Sequence, residues 1–161
     1  MKLRQQVDRA FKRPLFIVSV LGLTLLPLCF LQGINAQDRQ PPDKVKATRT
    51  LRGSFVGFEM GDYMHAEIRK SNRKRVSFFM GQPESLRYFL AANKGKSLLL
   101  TYQVVDSYIP EAGGVETIER LVAARSGTES DADWWKRLRK TSSLETLRKR
   151  YDTLVDKATI K

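Results

Sequence analysis

The side chains that could do chemistry gather around one histidine and one run of cations. His65, the only histidine, stands near Glu59, Asp62 and Glu67, and a borderline cation needs several such ligands to converge. On a strand only His65 and Glu67 share a face, and Asp62 reads as a turn residue, so the spacing predicts no metal centre. A nucleophilic serine needs a base, and this histidine has no Gly-x-Ser-x-Gly partner. Paired carboxylates occur in any chain of this length, and Gly113-Gly114 lacks the lysine and the spacing of a phosphate loop. The pattern predicts neither an enzyme nor a cofactor.

The stronger signal is the basic cluster Arg69, Lys70, Arg73, Lys74 and Arg75. Like charges this dense repel unless they are solvated or matched by an anion. Beside them Tyr63, His65 and one of Phe78 or Phe79 are expected to face outward, and cations interleaved with aromatics suit charge and stacking recognition of a polyanion. A plain solvated turn is the other reading of the same residues. Trp134 and Trp135, next to Lys136, Arg137, Arg139 and Lys140, either lie at a membrane surface or dock on the domain; docking is preferred.

Positioning these residues requires a set of short strands. Leu51 to Met60 reads as a bent strand, because Gly53 and Gly57 interrupt an aromatic run and mark a bulge or corner. Its alternation places Leu51 and Phe55 on one face, Val56 and Phe58 on the other. Gly61-Asp62 is a turn. Tyr63 to Lys70 then alternates Met64, Ala66 and Ile68 against Tyr63, His65, Glu67 and Arg69, Ser71-Asn72 makes a hairpin tip, and Val76 to Met80 is a third strand. Leu51, Val56, Met64, Ala66, Ile68 and Val76 are the candidate interior. Gly81-Gln82-Pro83-Glu84 opens a helix carrying Leu86, Phe89 and Leu90, which Asn93-Lys94-Gly95 ends. Lys96 to Val105 is a central strand, and Val115 to Arg125 is taken as a strand in preference to a helix.

Beyond Ser126 the pattern turns helical. Ser130-x-x-Asp133 and Ser142-x-x-Glu145 resemble capping boxes. The second precedes Leu144, Leu147, Tyr151 and Leu154, an apolar seam of two heptads that either packs on its own domain or brings copies together.

The N-terminus belongs to none of this. Lys2, Arg4, Arg9, Lys12 and Arg13 precede an apolar run from Leu15 to Leu31, and no charged residue follows until Asp38. Ile34-Asn35-Ala36 resembles a signal-peptidase site, so residues 1–36 are expected to be an export signal, with an uncleaved membrane anchor over about residues 14–32 as the alternative. Either way the remainder is expected outside the cytoplasm, periplasmic or extracellular. Those first 36 residues hold five of the 29 basic and one of the 17 acidic side chains, so the rest carries about +8 and no cysteine. A basic exported domain meets anionic lipid, acidic glycan or acidic protein faces before nucleic acid.

Residues 37–49, with Pro41-Pro42, read as a linker, 50–125 as a domain and 126–161 as a C-terminal helical extension. In the domain, the order of three strands, a helix and two strands, together with the glycine-bent first strand and the turn Gly57 to Tyr63, resembles the OB-fold of small exported bacterial proteins. The resemblance implies a mainly β fold, a five-stranded barrel with a helix between strands 3 and 4, whose second and third strands and adjoining loops meet ligand. It implies no reaction. The expected function is a non-enzymatic envelope binding module for an anionic partner, an acidic glycan, a lipid surface or a protein. A structural protein self-associating through Leu144, Leu147, Tyr151 and Leu154 is the alternative.

Overall fold

The computed structural model describes residues 41–81 and 83–160. The export signal or anchor expected over residues 1–36 lies outside them. Among the described residues no helix is long and apolar enough to cross a membrane.

The fold is mainly β. Its first strand, β1 (Lys44–Met60), is followed by β2 (Met64–Lys70), β3 (Arg75–Met80), the helix α1 (Glu84–Ala92), β4 (Ser97–Ile109) and β5 (Gly114–Ser126). β1 pairs antiparallel with β4 through its first part and with β2 through its second. β2 pairs with β3 and β4 with β5, both antiparallel. β3 meets β5 in a short parallel contact at Phe79–Arg120 and Met80–Leu121. The five strands therefore form a hydrogen-bonded ring in the order β1-β2-β3-β5-β4.

Two expectations for β1 need correction. Residues 44–49 are strand rather than linker, because Lys44 to Arg49 lie against Asp106 to Tyr102 of β4. Val56 is not interior, and Phe55 and Phe58 do not take opposite faces. The register with β2 slips at Val56, where Phe55 faces Ile68 and Gly57 already faces Glu67. The extra residue turns both phenylalanines inward, where they are fully buried with rings 4.6 Å apart. A bulge lets residues three positions apart share one face, which strict alternation forbids. Gly53 and Gly57 serve close approach: a Cβ on Gly57 would stand 2.6 Å from the Ala158 carbonyl oxygen.

β2 keeps a regular alternation, with Ala66 and Ile68 buried and Arg69 exposed. These join Phe78, Leu98, Leu100 and Leu121 and the α1 residues Leu86, Phe89 and Leu90 in one apolar cluster. Each of the leucine, isoleucine and phenylalanine side chains contributes about 1.5–3 kcal/mol by leaving water.

The C-terminal segment shares that cluster. A two-residue strand β6 (Glu129–Ser130) leads into α2 (Asp131–Arg139), then α3 (Leu144–Ala158), and β7 (Thr159–Ile160) pairs parallel with Phe58 and Glu59 of β1. Ser130 caps α2 by accepting from the Asp133 amide at 3.1 Å. The cap of α3 is Ser143, accepting from the Thr146 amide at 3.2 Å, one residue later than the box at Ser142 suggests. Trp134 packs edge-on against Phe89 and Tyr151 at 5.5 and 5.0 Å. Leu147 and Tyr151 are buried in the same cluster, and Leu144 and Leu154 are half-buried. Tyr88, buried on α1, reaches Glu84 and Asp152 with its hydroxyl at 3.0 and 2.7 Å, and Arg148 and Arg87 hold the two carboxylates from outside.

Candidate functional site

Of the residues singled out on β2 and β3, His65, Arg69 and Arg75 lie along one face of the hairpin and Lys70 on the other, and they divide into a basic end and an aromatic end. The register sets this. His65 faces Phe79, Glu67 faces Ser77 and Arg69 faces Arg75. Arg69 lies four positions beyond His65, about 13 Å at the rise of a strand.

At the basic end the chain reverses over Ser71 to Lys74. The Lys70 amide donates to the Lys74 carbonyl at 2.8 Å, the Arg73 amide to the Lys70 carbonyl at 3.0 Å, and the Lys74 amide to Asn72 Oδ1 at 3.1 Å. Arg73 sits in the left-handed region at φ 64°, where a side chain costs on the order of 1–2 kcal/mol and glycine is the usual occupant. Arg75 is the one tip cation with a carboxylate partner among the described residues, Glu67 at 3.3 Å; Arg69, Lys70, Arg73 and Lys74 have none.

β1 enlarges this end. Gly53 lies beside Lys70 and Ser54 beside Arg69, so Arg52 joins them in a shallow groove of about 310 Å³ that Gly95 and Ser97 also line. The Gly95 amide donates to the Phe55 carbonyl at 2.9 Å, which fastens the turn after α1 here; Lys94 and Lys96 flank Gly95 in the chain, and the Lys96 ammonium donates to Asn93 Oδ1 at 3.2 Å. Arg52, Lys94 and Lys96 were not singled out from the sequence. Only the alternation that turns Arg52 outward hints at one of them, and the strand register supplies the rest.

The aromatic end has different chemistry. The His65 and Phe79 rings lie 4.3 Å apart and those of Tyr63 and Phe79 5.8 Å apart. The Tyr63 hydroxyl donates to Glu111, joining the β1–β2 turn to the β4–β5 connection. That bond raises the Tyr63 pKa and lowers that of Glu111, since the carboxylate accepts the phenolic proton. Glu59, His65, Ser77, Phe79 and Ile118 line an adjoining groove of about 530 Å³. Glu59 and Glu119 line it and Glu111 bonds the neighbouring Tyr63, so this end does not extend the cationic surface. Among the described residues no three His, Cys, Asp or Glu side chains come together.

Elsewhere, the seam residues Leu147 and Tyr151 face the chain's own core, so a second copy cannot reach them while α3 is docked. Asp43 anchors the start of β1. It accepts from Arg120 and from Ser107, the latter at 2.6 Å, and the Arg120 guanidinium is the main cause of its lowered pKa. A comparison of the chain with models of protein families, with curated proteins and with solved structures finds no match.

Proposed function

We propose that this chain is a non-enzymatic exported envelope protein, built on an OB-like barrel, that binds an acidic glycan at the basic end of its β2–β3 hairpin. The ring order β1-β2-β3-β5-β4, the parallel β3–β5 contact and the position of α1 between β3 and β4 support the OB-like reading. The basic N-terminus followed by an apolar run supports export.

The observation that carries the function is a concentration of cations without carboxylates to match them. Arg52, Arg69, Lys70, Arg73 and Lys74 have no salt-bridge partner among the described residues. One of them, Arg73, is held in a strained backbone conformation, and such strain persists where the surroundings or a function maintain it. A glycan is favoured over a lipid surface because the tip, Arg69 to Arg75, offers no apolar side chain to insert between acyl chains. Self-association through α3 is not favoured, since Leu147 and Tyr151 are buried within the chain.

The test uses heparin as a polyanion of defined charge. Affinity is measured at two ionic strengths for the parent and for a variant with Arg73, Lys74 and Arg75 replaced by Ser. Parent binding should fall steeply with salt, and the variant should bind at least tenfold more weakly with a shallower salt dependence. Equal affinity and equal salt dependence would remove the tip from the account. Preference for phosphatidylglycerol vesicles over heparin would replace the glycan with a membrane.

A further inference from the structure

A second cationic pocket lies between α1 and α2, formed by Pro83, Ser85, Ala132, Trp135, Lys136 and Arg139, with Lys140 at its rim and a volume of about 560 Å³. It shares no residue with the hairpin tip. α1 begins beyond the end of β3 opposite that tip, with all of β3 between Lys74 and Glu84.

The pocket is held in shape from beneath. Asp131 is buried and accepts from Ser85 Oγ at 3.1 Å and from the Ala124 amide at 3.2 Å, which ties α2 to α1 and to β5. Ala132 contributes only a methyl group, leaving the space open. Trp135 is half-buried beside Tyr88, with ring centroids 5.3 Å apart, so one wall is an indole of restricted orientation. Lys136, Arg139 and Lys140 are exposed and have no carboxylate partner among the described residues, whereas their neighbour Arg137 is paired with Glu129 at 2.8 Å. The N-terminus of α1 lacks a side-chain cap, but Glu84 in its first turn offsets the helix dipole there, so the positive charge of the pocket comes from α2.

We infer that this pocket binds a phosphate monoester carried on a sugar ring, whose apolar C–H face can lie against an indole. The charge argues for phosphate. A monoester carries about −1.5 to −2 at neutral pH, which three cations match better than they match a single carboxylate. Arginine offers a planar fork to the phosphate oxygens and the lysines act as point charges. The indole of Trp135 offers a flat apolar wall for the ring, and the concave shape suits a discrete ligand better than a planar bilayer.

Trp134 and Trp135 are the chain's only tryptophans, so fluorescence reports the site. The full-length protein is titrated with glucose 6-phosphate, glucose and inorganic phosphate. A saturable change is expected with glucose 6-phosphate, a much weaker response with glucose, and binding of inorganic phosphate severalfold weaker than that of the ester. Replacing Lys136, Arg139 and Lys140 by Ser should raise the Kd for glucose 6-phosphate at least tenfold, as losing three exposed charge pairs implies. These side chains are exposed, and an unchanged circular dichroism melt shows that the variant folds. The tip variant with Arg73, Lys74 and Arg75 replaced should bind glucose 6-phosphate like the parent, which separates this inference from the proposed function. Equal responses to glucose and its phosphate, or an unchanged Kd in the α2 variant, overturn the site. Inorganic phosphate binding as tightly as the ester overturns the role of the ring. Binding to phosphatidylglycerol vesicles without any response to glucose 6-phosphate overturns the pocket in favour of a membrane surface.

Discussion

Replacing Gly57 with Ala should unfasten the C-terminal segment from the ring. A Cβ at this position would lie 2.6 Å from the Ala158 carbonyl oxygen, 2.6 Å from Ile160 Cγ1 and 2.9 Å from its Cδ1. The isoleucine can turn aside, but the carbonyl belongs to the backbone where α3 passes into β7, so relief requires that junction to move. Movement breaks the parallel contact of Thr159 and Ile160 with Phe58 and Glu59 and loosens the buried side chains of Val155 and Ala158. Overpacking of this kind costs about 1–3 kcal/mol. For a domain of this size that corresponds to a fall in melting temperature of roughly 4–12 °C. A circular dichroism melt gives the shift, and hydrogen exchange at Thr159 and Ile160 gives its location. Gly61→Ala is the control, since nothing lies within 4 Å of a Cβ there, and it should stay within about 0.5 kcal/mol of the parent. A G57A melt within 1–2 °C of the parent, with exchange at 159 and 160 unchanged, would refute the close packing of α3 and β7 on β1.

Arg73→Gly should stabilise the protein by about 0.5–1 kcal/mol in urea unfolding, because glycine relieves the φ of 64° while losing part of that gain to unfolded-state entropy. It should also weaken heparin binding; a destabilised variant that binds like the parent would contradict the strained-cation argument. Burial, followed by the bond to Asp152, pushes the Tyr88 phenol up to about 12. A raised folded pKa means that its contribution to stability is intact below the usual value near 10 and is lost as pH rises towards 12. Tyr88→Phe should therefore flatten the alkaline loss of stability over that window, at a cost of about 1–2 kcal/mol at neutral pH. The opposite sign holds for Asp43, whose depressed pKa gives a contribution present above 3.8 and lost as pH falls below it. Asp43→Asn should reduce the slope of acid unfolding below pH 3.8, and an identical acid limb in the two proteins would count against the Asp43–Arg120 anchor.

The hairpin was legible in the sequence because β2 has one wet face and one dry face, so Met64, Ala66 and Ile68 alternate with residues that remain outside. The first part of β1 was not. Lys44, Thr48, Arg49 and Thr50 are exposed, and what makes that stretch a strand is a partner, β4, tens of residues away. The exact position of the bulge, at Val56, was hidden for a related reason. Its two-against-one count exists only relative to β2, although the glycines on either side announced that the strand must bend. The basic tip was visible as a run of cations, but its extension by Arg52, Lys94 and Lys96 depends on strand register and on the turn at Gly95, which local spacing does not encode. The same register separates Tyr63, His65 and Phe79 from the cations that the sequence suggested they would join.

The most direct test of the account is amide hydrogen exchange across the protein with and without a heparin oligosaccharide. Binding at the basic end should slow exchange over residues 69–75 and around Arg52 and Gly95, with little change around His65 and Phe79. Slowed exchange confined to other surfaces, with residues 69–75 unaffected at saturation, would contradict the assignment of the hairpin tip as the anion-binding site.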